Sequence, residues 1–447
     1  MQTINVQAVI DPARFSGFHW QLLGWCALLL IFDGYDLFIY GVVLPVLMQE
    51  WGLSALQAGA LGSYALFGMM LGAVLFGTLA DQVGRRKSIA VCCLLFSGAT
   101  LVNGFASTPV EFGICRFIAG LGCGGLMPNV VALMNEYAPK KARSLLVAVM
   151  FCGYPLGGML SAGVGIYLLP RFGWEAMFYA AAVPLLLLPV ILRQLPESIG
   201  ILWREGHKQQ ARALLLRVDP DCGVGQDAEL RIATSTGSKA SLPTLFQEGR
   251  ALRTVLLWIA FFCCLLMIYA LSSWLPKLMA GAGYSLGSSL SFLVALNLGA
   301  VLGAIAGGWL GDRFALSRVL VSFLLLAAGS IALLGLSSPA PVLYLLIGIA
   351  GATTIGTQIL LYACAAQFYD LPIRSTGLGW ASGIGRNGAI AGPLLGGMLL
   401  GANLPLSMNF LAFAVPGVVG AAAMLLFAWY SPDRSPASLI EADRAGA

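Results

Sequence analysis

The stretch GTLADQVGRRK, residues 77–87, is answered half a chain later by GWLGDRFALSR, residues 308–318. NEYAPKKARS at 135–144 is answered by AQFYDLPIRS at 366–375. Asp81 to Asp312 and Arg143 to Arg374 are both shifts of 231 positions. Two independent matches at one offset indicate a duplicated chain, each copy carrying its loop between long apolar runs. Duplicated halves with a site between them at mid-membrane depth are the layout of secondary transporters.

Composition points the same way. Of 447 residues, 59% are hydrophobic and 10% charged, against about 25% charged in a soluble domain. A water-soluble fold is excluded. Twelve apolar segments lie at 20–46, 57–80, 88–107, 111–135, 145–168, 174–194, 252–276, 286–311, 317–337, 340–364, 376–400 and 407–430. Each is near the ~20 residues that cross about 30 Å of hydrocarbon, and the 55 glycines suit close helix packing.

The expected fold class is an all-α membrane protein, with twelve transmembrane helices in two six-helix pseudo-symmetric bundles. Residues 1–196 form the first bundle and 251–447 the second bundle with a cytoplasmic tail. Between them, 197–250 form a cytoplasmic linker in which 200–217 have the apolar spacing of an amphipathic helix. Residues 1–19 lack the features of a cleavable signal. With both termini cytoplasmic, Arg171 and Lys277 fall on outward loops and Arg116 and Arg386 inside helices. The other 21 of 25 Lys and Arg residues face the cytoplasm, as the positive-inside rule requires. A bacterial inner membrane fits. The ten cysteines lack paired ligand spacing and read as buried thiols. The chain has only His19 and His207, no H-E-x-x-H and no phosphate-binding loop, so no catalytic or metal site is expected.

Gly77, Asp81, Gly84, Arg85 and Arg86 fit the pattern G-x-x-x-D-x-x-G-R-R/K, which resembles the helix 2–3 loop of the major facilitator superfamily. The match departs at Gln82, where Arg is usual, and the second copy, with Asp312 and Arg313, lacks the later glycine. The resemblance implies a conformational latch on the cytoplasmic face, with Glu136, Arg143 and Arg374 in its charge network. A basic loop that only sets topology is the competing reading.

A narrower resemblance spans nearly the whole chain. FDGYDLFIYGVVLPVL (32–47), RFIAGLGCGGLMPN (116–129), EYAPKKAR (136–143), LPES (195–198), SWLPKLM (273–279) and RSTGLGWASGIGRNGAIAGPLLGGML (374–399) are similar to the aromatic acid and proton symporter family, benzoate carriers above all. The family implies alternating-access uptake of a small aromatic carboxylate with a proton as coupling ion. It implies a monomer in the lipid bilayer, with no other cofactor and no nucleic acid partner. 4-Hydroxybenzoate, protocatechuate or muconate are alternative cargoes, and an exporter or a membrane receptor for aromatic acids are rival functions.

Charges that break the repeat are the better functional candidates, because residues kept in both halves serve the shared scaffold. A shift of 231 pairs Asp33 with Cys264, Asp36 with Met267, Arg116 with Ile347 and Arg386 with Pro155. Asp33 and Asp36 share a helical face through their i, i+3 spacing and are the expected proton-coupling pair, with Arg116 as partner. Helix capping or hydrated packing is the alternative for the acids, and a structural role for Arg116. Arg386 lies about ten residues into helix eleven, near 15 Å deep. Its planar guanidinium suits a substrate carboxylate, with Asp36, Tyr269 and Trp380 as further substrate contacts. A structural ion pair with an aspartate is the alternative for Arg386.

Overall fold

The computed structural model describes residues 3–219, 229–231, 242–336, 338–370 and 373–430. Its spanning helices, numbered here 1 to 12, are Gly17–Glu50, Ala55–Val83, Arg85–Asn103, Pro109–Tyr137, a fifth in two pieces (Arg143–Phe151, Gly153–Phe172) and a sixth in two pieces (Glu175–Ala180, Val183–Gln194). The second half follows with Ala251–Gly281, Leu286–Arg313, Leu316–Leu333, Ala340–Phe368, Arg374–Gly401 and Leu406–Trp429. Ten spans qualify as membrane-crossing on length and hydropathy alone. The other two are helix 3, which opens on Arg85, Arg86 and Lys87, and helix 11, which carries Arg374 and Arg386.

Helices 5 and 6 are broken where the sequence suggests continuous runs, and proline explains both. A proline ring clashes with the carbonyl four residues earlier and supplies no N–H. Pro155 acts on Phe151, where the first piece of helix 5 ends, and Pro184 acts on Ala180, where the first piece of helix 6 ends. The linker also differs from expectation. Instead of one amphipathic helix over 200–217 there are two, Ile199–Arg204 and Lys208–Val218, separated at Gly206, whose φ of 83° is a glycine conformation. The second buries Ala211, Leu215 and Val218. It packs on a short helix, Val6–Ile10, that the apolar pattern does not single out. Thr3–Asn5 also pairs in parallel with Glu229–Arg231. The rest of the linker over 220–241 and the tail beyond 430 lie outside the described residues.

The duplication is visible atom by atom. A Cβ added at Gly68, Gly72 or Gly120 would run into the backbone of Phe117, Leu121 or Ala65, where helices 2 and 4 cross. Their counterparts 231 positions on, Gly299, Gly303 and Gly351, meet the backbone of Gly348, Ala352 and Leu296, where helices 8 and 10 cross. Arg143 donates from Nε to the Ala138 carbonyl at 3.3 Å, and Arg374 donates from Nε to the Tyr369 carbonyl at 3.3 Å. Small residues let backbones touch in a medium where helices gain nothing from hiding apolar surface from lipid. Gly351→Ala is therefore expected to cost about 1–3 kcal/mol through overpacking and to lower the thermal midpoint in detergent. Gly329→Ala, with nothing within 4 Å, should leave it unchanged.

The halves meet from mid-depth to the face opposite the linker. Tyr154 and Tyr269 share a hydroxyl hydrogen bond of 3.2 Å, and Ser63 donates to the Ile390 carbonyl at 2.8 Å. Beyond them Gly41 lies against the Ser272 backbone and Gly59 against the Pro393 backbone. The seam is closed at that face.

Candidate functional site

Helix 1 presents its acids to the inside of its own bundle. The missing side chains of Gly34 and Gly157 let helix 5 lie directly on helix 1, at Tyr154 and Ile31. Asp33 and Asp36 thereby turn towards helices 3 and 4. Asp36 accepts from Arg116 Nη1, 3.4 Å from Oδ2, while the same nitrogen lies 3.0 Å from the Asp36 carbonyl oxygen. Thr100 donates its hydroxyl to Oδ1, and Cys123 Sγ is 3.5 Å from Oδ2. The Arg116 guanidinium also sits 5.8 Å from the Tyr40 ring centroid. Asp36 and Arg116 are 2% and 1% exposed, so this is a buried ion pair rather than a surface contact.

Asp33 is placed differently. It is fully buried, and neither carboxylate oxygen has a hydrogen-bond partner. Cys123 lies in the field of both acids. The two carboxylates thus share a face, as their spacing requires, but one is neutralised and the other is not.

Across the seam, Arg386 stands twelve residues into helix 11, about 18 Å from its linker-side end at 1.5 Å per residue. Gly385 and Gly388, which flank Arg386, serve packing rather than the guanidinium. They let helix 11 pack on helix 7 at Leu265 and Phe262. Arg386 is half-buried and makes no hydrogen bond or ion pair among the described residues. It acts electrostatically on Asp33 and on Tyr269. Tyr269 is held by Tyr154, whose place in the site the sequence does not distinguish from other aromatics. Trp380 stands six residues nearer the linker face, where its ring stacks on Trp258 at 6.1 Å. The structure therefore places Arg386 within electrostatic reach of Asp33 and Tyr269, gives Asp36 to Arg116, and sets Trp380 apart.

At the linker face, Gly84 has φ 107° and alone joins helices 2 and 3. The second half has no glycine there and uses two residues, Phe314 and Ala315. Arg85 Nε is 3.7 Å from Glu136 Oε2, and the other Glu136 oxygen accepts from the Ser198 hydroxyl and the Ile199 N–H, both at 2.8 Å. The backbone N–H of Arg86 donates to Glu197 at 3.2 Å. The structure gives Glu136 to Arg85. Arg143 pairs instead with Asp11 at 2.7 Å. Burial opposes ionisation of Asp11, but the Gln7 hydrogen bond and Arg143 together hold its carboxyl below the usual range. Arg313 stacks over Trp309 at 4.2 Å, and Gly77 has no neighbour within 4 Å of a Cβ. The side chains of Asp81 and Asp312 lie outside the described residues. LPES supplies two latch partners, Glu197 and Ser198, which the family resemblance flags without assigning them a role.

Two pseudo-symmetric bundles around buried acids and an unpaired guanidinium define a multi-pass membrane transporter, not an enzyme. The chain belongs to the Major Facilitator Superfamily, whose model matches residues 26–314 and 287–446. It is 47% identical to the benzoate transport protein of Acinetobacter baylyi, over 95% of this chain and 92% of that one. It is 38% identical to the gentisate transporter of Corynebacterium glutamicum, over 90% and 86%, and 37% identical to the 4-hydroxybenzoate transporter PcaK of Acinetobacter baylyi, over 95% and 94%. Among solved structures, a D-xylose-proton symporter shares the fold at a TM-score of 0.73 and 19% identity, covering 93% of this chain and 98% of that one.

Proposed function

We propose that this chain imports a small aromatic carboxylate, benzoate foremost, together with a proton across a bacterial inner membrane, its termini and linker facing the cytoplasm. The observation that carries the reading is the pairing pattern: Asp36 is in an ion pair with Arg116, while among the described residues Arg386 and Asp33 lie in each other's field without a hydrogen bond or ion pair. A guanidinium kept unpaired at mid-depth is matched to an anionic cargo, and forms two parallel charge-assisted hydrogen bonds with a carboxylate. A buried carboxylate without donors suits a group that carries a proton during the cycle. The names of the similar transporters support an aromatic acid as cargo. With the linker face cytoplasmic, the closed seam is the outer one, and Arg85–Glu136 and Arg143–Asp11 brace the first bundle at the inner face.

The test is uptake of labelled benzoate, gentisate, 4-hydroxybenzoate and muconate into cells producing the protein, with and without an uncoupler. Benzoate is expected to be taken up fastest, and the uncoupler to abolish accumulation. A ranking headed by muconate displaces the monocarboxylate reading, and accumulation that survives the uncoupler removes the proton. Binding without flux in proteoliposomes identifies a receptor, and accumulation of labelled substrate by inside-out vesicles an exporter.

A further inference from the structure

Helix 3 carries a polar file that begins at Asp36 and leads away from both the latch and the substrate site. Thr100 and Asn103 are one turn apart, about 4.5 Å along the axis, and both are buried. Thr100 donates its hydroxyl to Asp36. Asn103 is wholly inaccessible, yet neither its amide nitrogen nor its carbonyl oxygen has a partner. Buried amides are almost always hydrogen-bonded, so a pair of orphaned atoms calls for a specific reason. Asn103 is the last residue of helix 3, and the loop beyond it surfaces at once, with Phe105 and Ser107 exposed. Asn103 therefore lies between the loop at the face opposite the linker and the Thr100–Asp36 hydrogen bond. The next polar residue inward, Ser97, spends its hydroxyl on the Ala181 carbonyl at 2.7 Å and does not extend the file.

We propose that Asn103 and Thr100 form a proton entry route to Asp36 from the outer face, inside the first bundle and separate from the path of the substrate. The seam between the halves is closed at that face in this arrangement, where Gly41 and Gly59 touch the second half, so a proton reaching Asp36 from outside in this arrangement takes a way other than the seam. Asn103 has the donor and acceptor capacity to hold a water molecule just under the surface. A proton arriving on that water passes to Thr100 Oγ1 as the Thr100 hydroxyl proton moves to Asp36 Oδ1. Thr100 is neutral before and after, and Asp36 changes from carboxylate to carboxylic acid. The groups around that acid are Thr100 on helix 3, Arg116 and Cys123 on helix 4, and Asp33 and Tyr35 on its own helix. Protonation removes the charge that holds Arg116, and Cys123 leads on towards Asp33.

The route rests on the proton-coupled reading, and the experiment separates the two. Purified protein in proteoliposomes takes up labelled benzoate under an imposed pH gradient, and in a second arm exchanges it at equal pH. Asn103→Leu is expected to slow gradient-driven uptake about 100-fold or more, the low end for a lost proton-transfer group. Exchange should stay within about twofold, because the substrate site is untouched. Its thermal midpoint should not fall, since an orphaned amide has been replaced by an apolar group. Asn103→Ser, which keeps a water-binding group, should recover much of the driven rate, and Thr100→Val should repeat the loss. Driven uptake near wild type in Asn103→Leu overturns the route, as does equal loss in both arms or failure of Asn103→Ser to differ from Leu. Absence of any pH-gradient stimulation in the wild type instead overturns the proton-coupled reading.

Discussion

Arg386→Lys is expected to weaken benzoate binding by about 30-fold, and Arg386→Ala by up to several thousand-fold, the range that about 2 to 5 kcal/mol gives for a desolvated charge-assisted contact. Lysine keeps the positive charge but replaces a rigid fork with a point donor, so the loss isolates bidentate geometry from charge. Arg386 makes no hydrogen bond or ion pair among the described residues. Its truncation therefore breaks no hydrogen bond or ion pair among the described residues, and the main effect falls on the ligand. The measurement is binding of benzoate and of uncharged benzamide to purified wild type and Arg386→Lys. Wild type should prefer benzoate strongly, and the mutant should lose most of that preference. An unchanged preference would show that the anchor lies elsewhere. Arg116 is then a poor substitute, since it is 1% exposed and already spent on Asp36.

The scaffold was legible because its causes are local and repeated. Hydrophobic length sets each span, and an offset of 231 read from Asp81 and Arg143 reappears in the glycines that let helices 2 and 4, and 8 and 10, cross with backbones touching. The charges that break that repeat were legible as candidates, because a membrane makes any buried charge expensive. What the sequence does not contain is their partition. Asp33 and Asp36 are one turn apart on one face, and only the packing of helices 3 and 4 decides that Arg116 and Thr100 fall to Asp36 while Cys123 lies between the two acids. Thr100 and Cys123 lie in runs with no periodic or charge signal. Tyr154 looks like any other aromatic until its hydroxyl meets Tyr269 across the seam. The breaks at Pro155 and Pro184 were readable from proline chemistry, but the apolar segments ran through them.

That partition makes the two aspartates experimentally different. Asp36→Asn removes the counter-charge of a guanidinium that is 1% exposed, and breaking a buried pair from one side costs about 3 to 5 kcal/mol. The expected result is poor yield and a lowered thermal midpoint, which obscures any effect on transport. Asp33→Asn breaks no ion pair, because Arg116 is spent on Asp36 and the nearest donor to the Asp33 carboxylate is the weak Cys123 thiol. Its fold should be intact, and only a group able to gain and lose a proton is gone. Accumulation of benzoate against its gradient should therefore be abolished, and pH-driven uptake should fall by about 100-fold or more, while exchange at equal pH persists. Exchange needs only the loaded carrier to reorient, and a neutral amide mimics the protonated acid in charge and shape. The mutant rate should also be flat with external pH. Accumulation of benzoate by Asp33→Asn under an inward pH gradient would show that the coupling proton sits on Asp36 alone, and that Asp33 only sets the potential at Arg386.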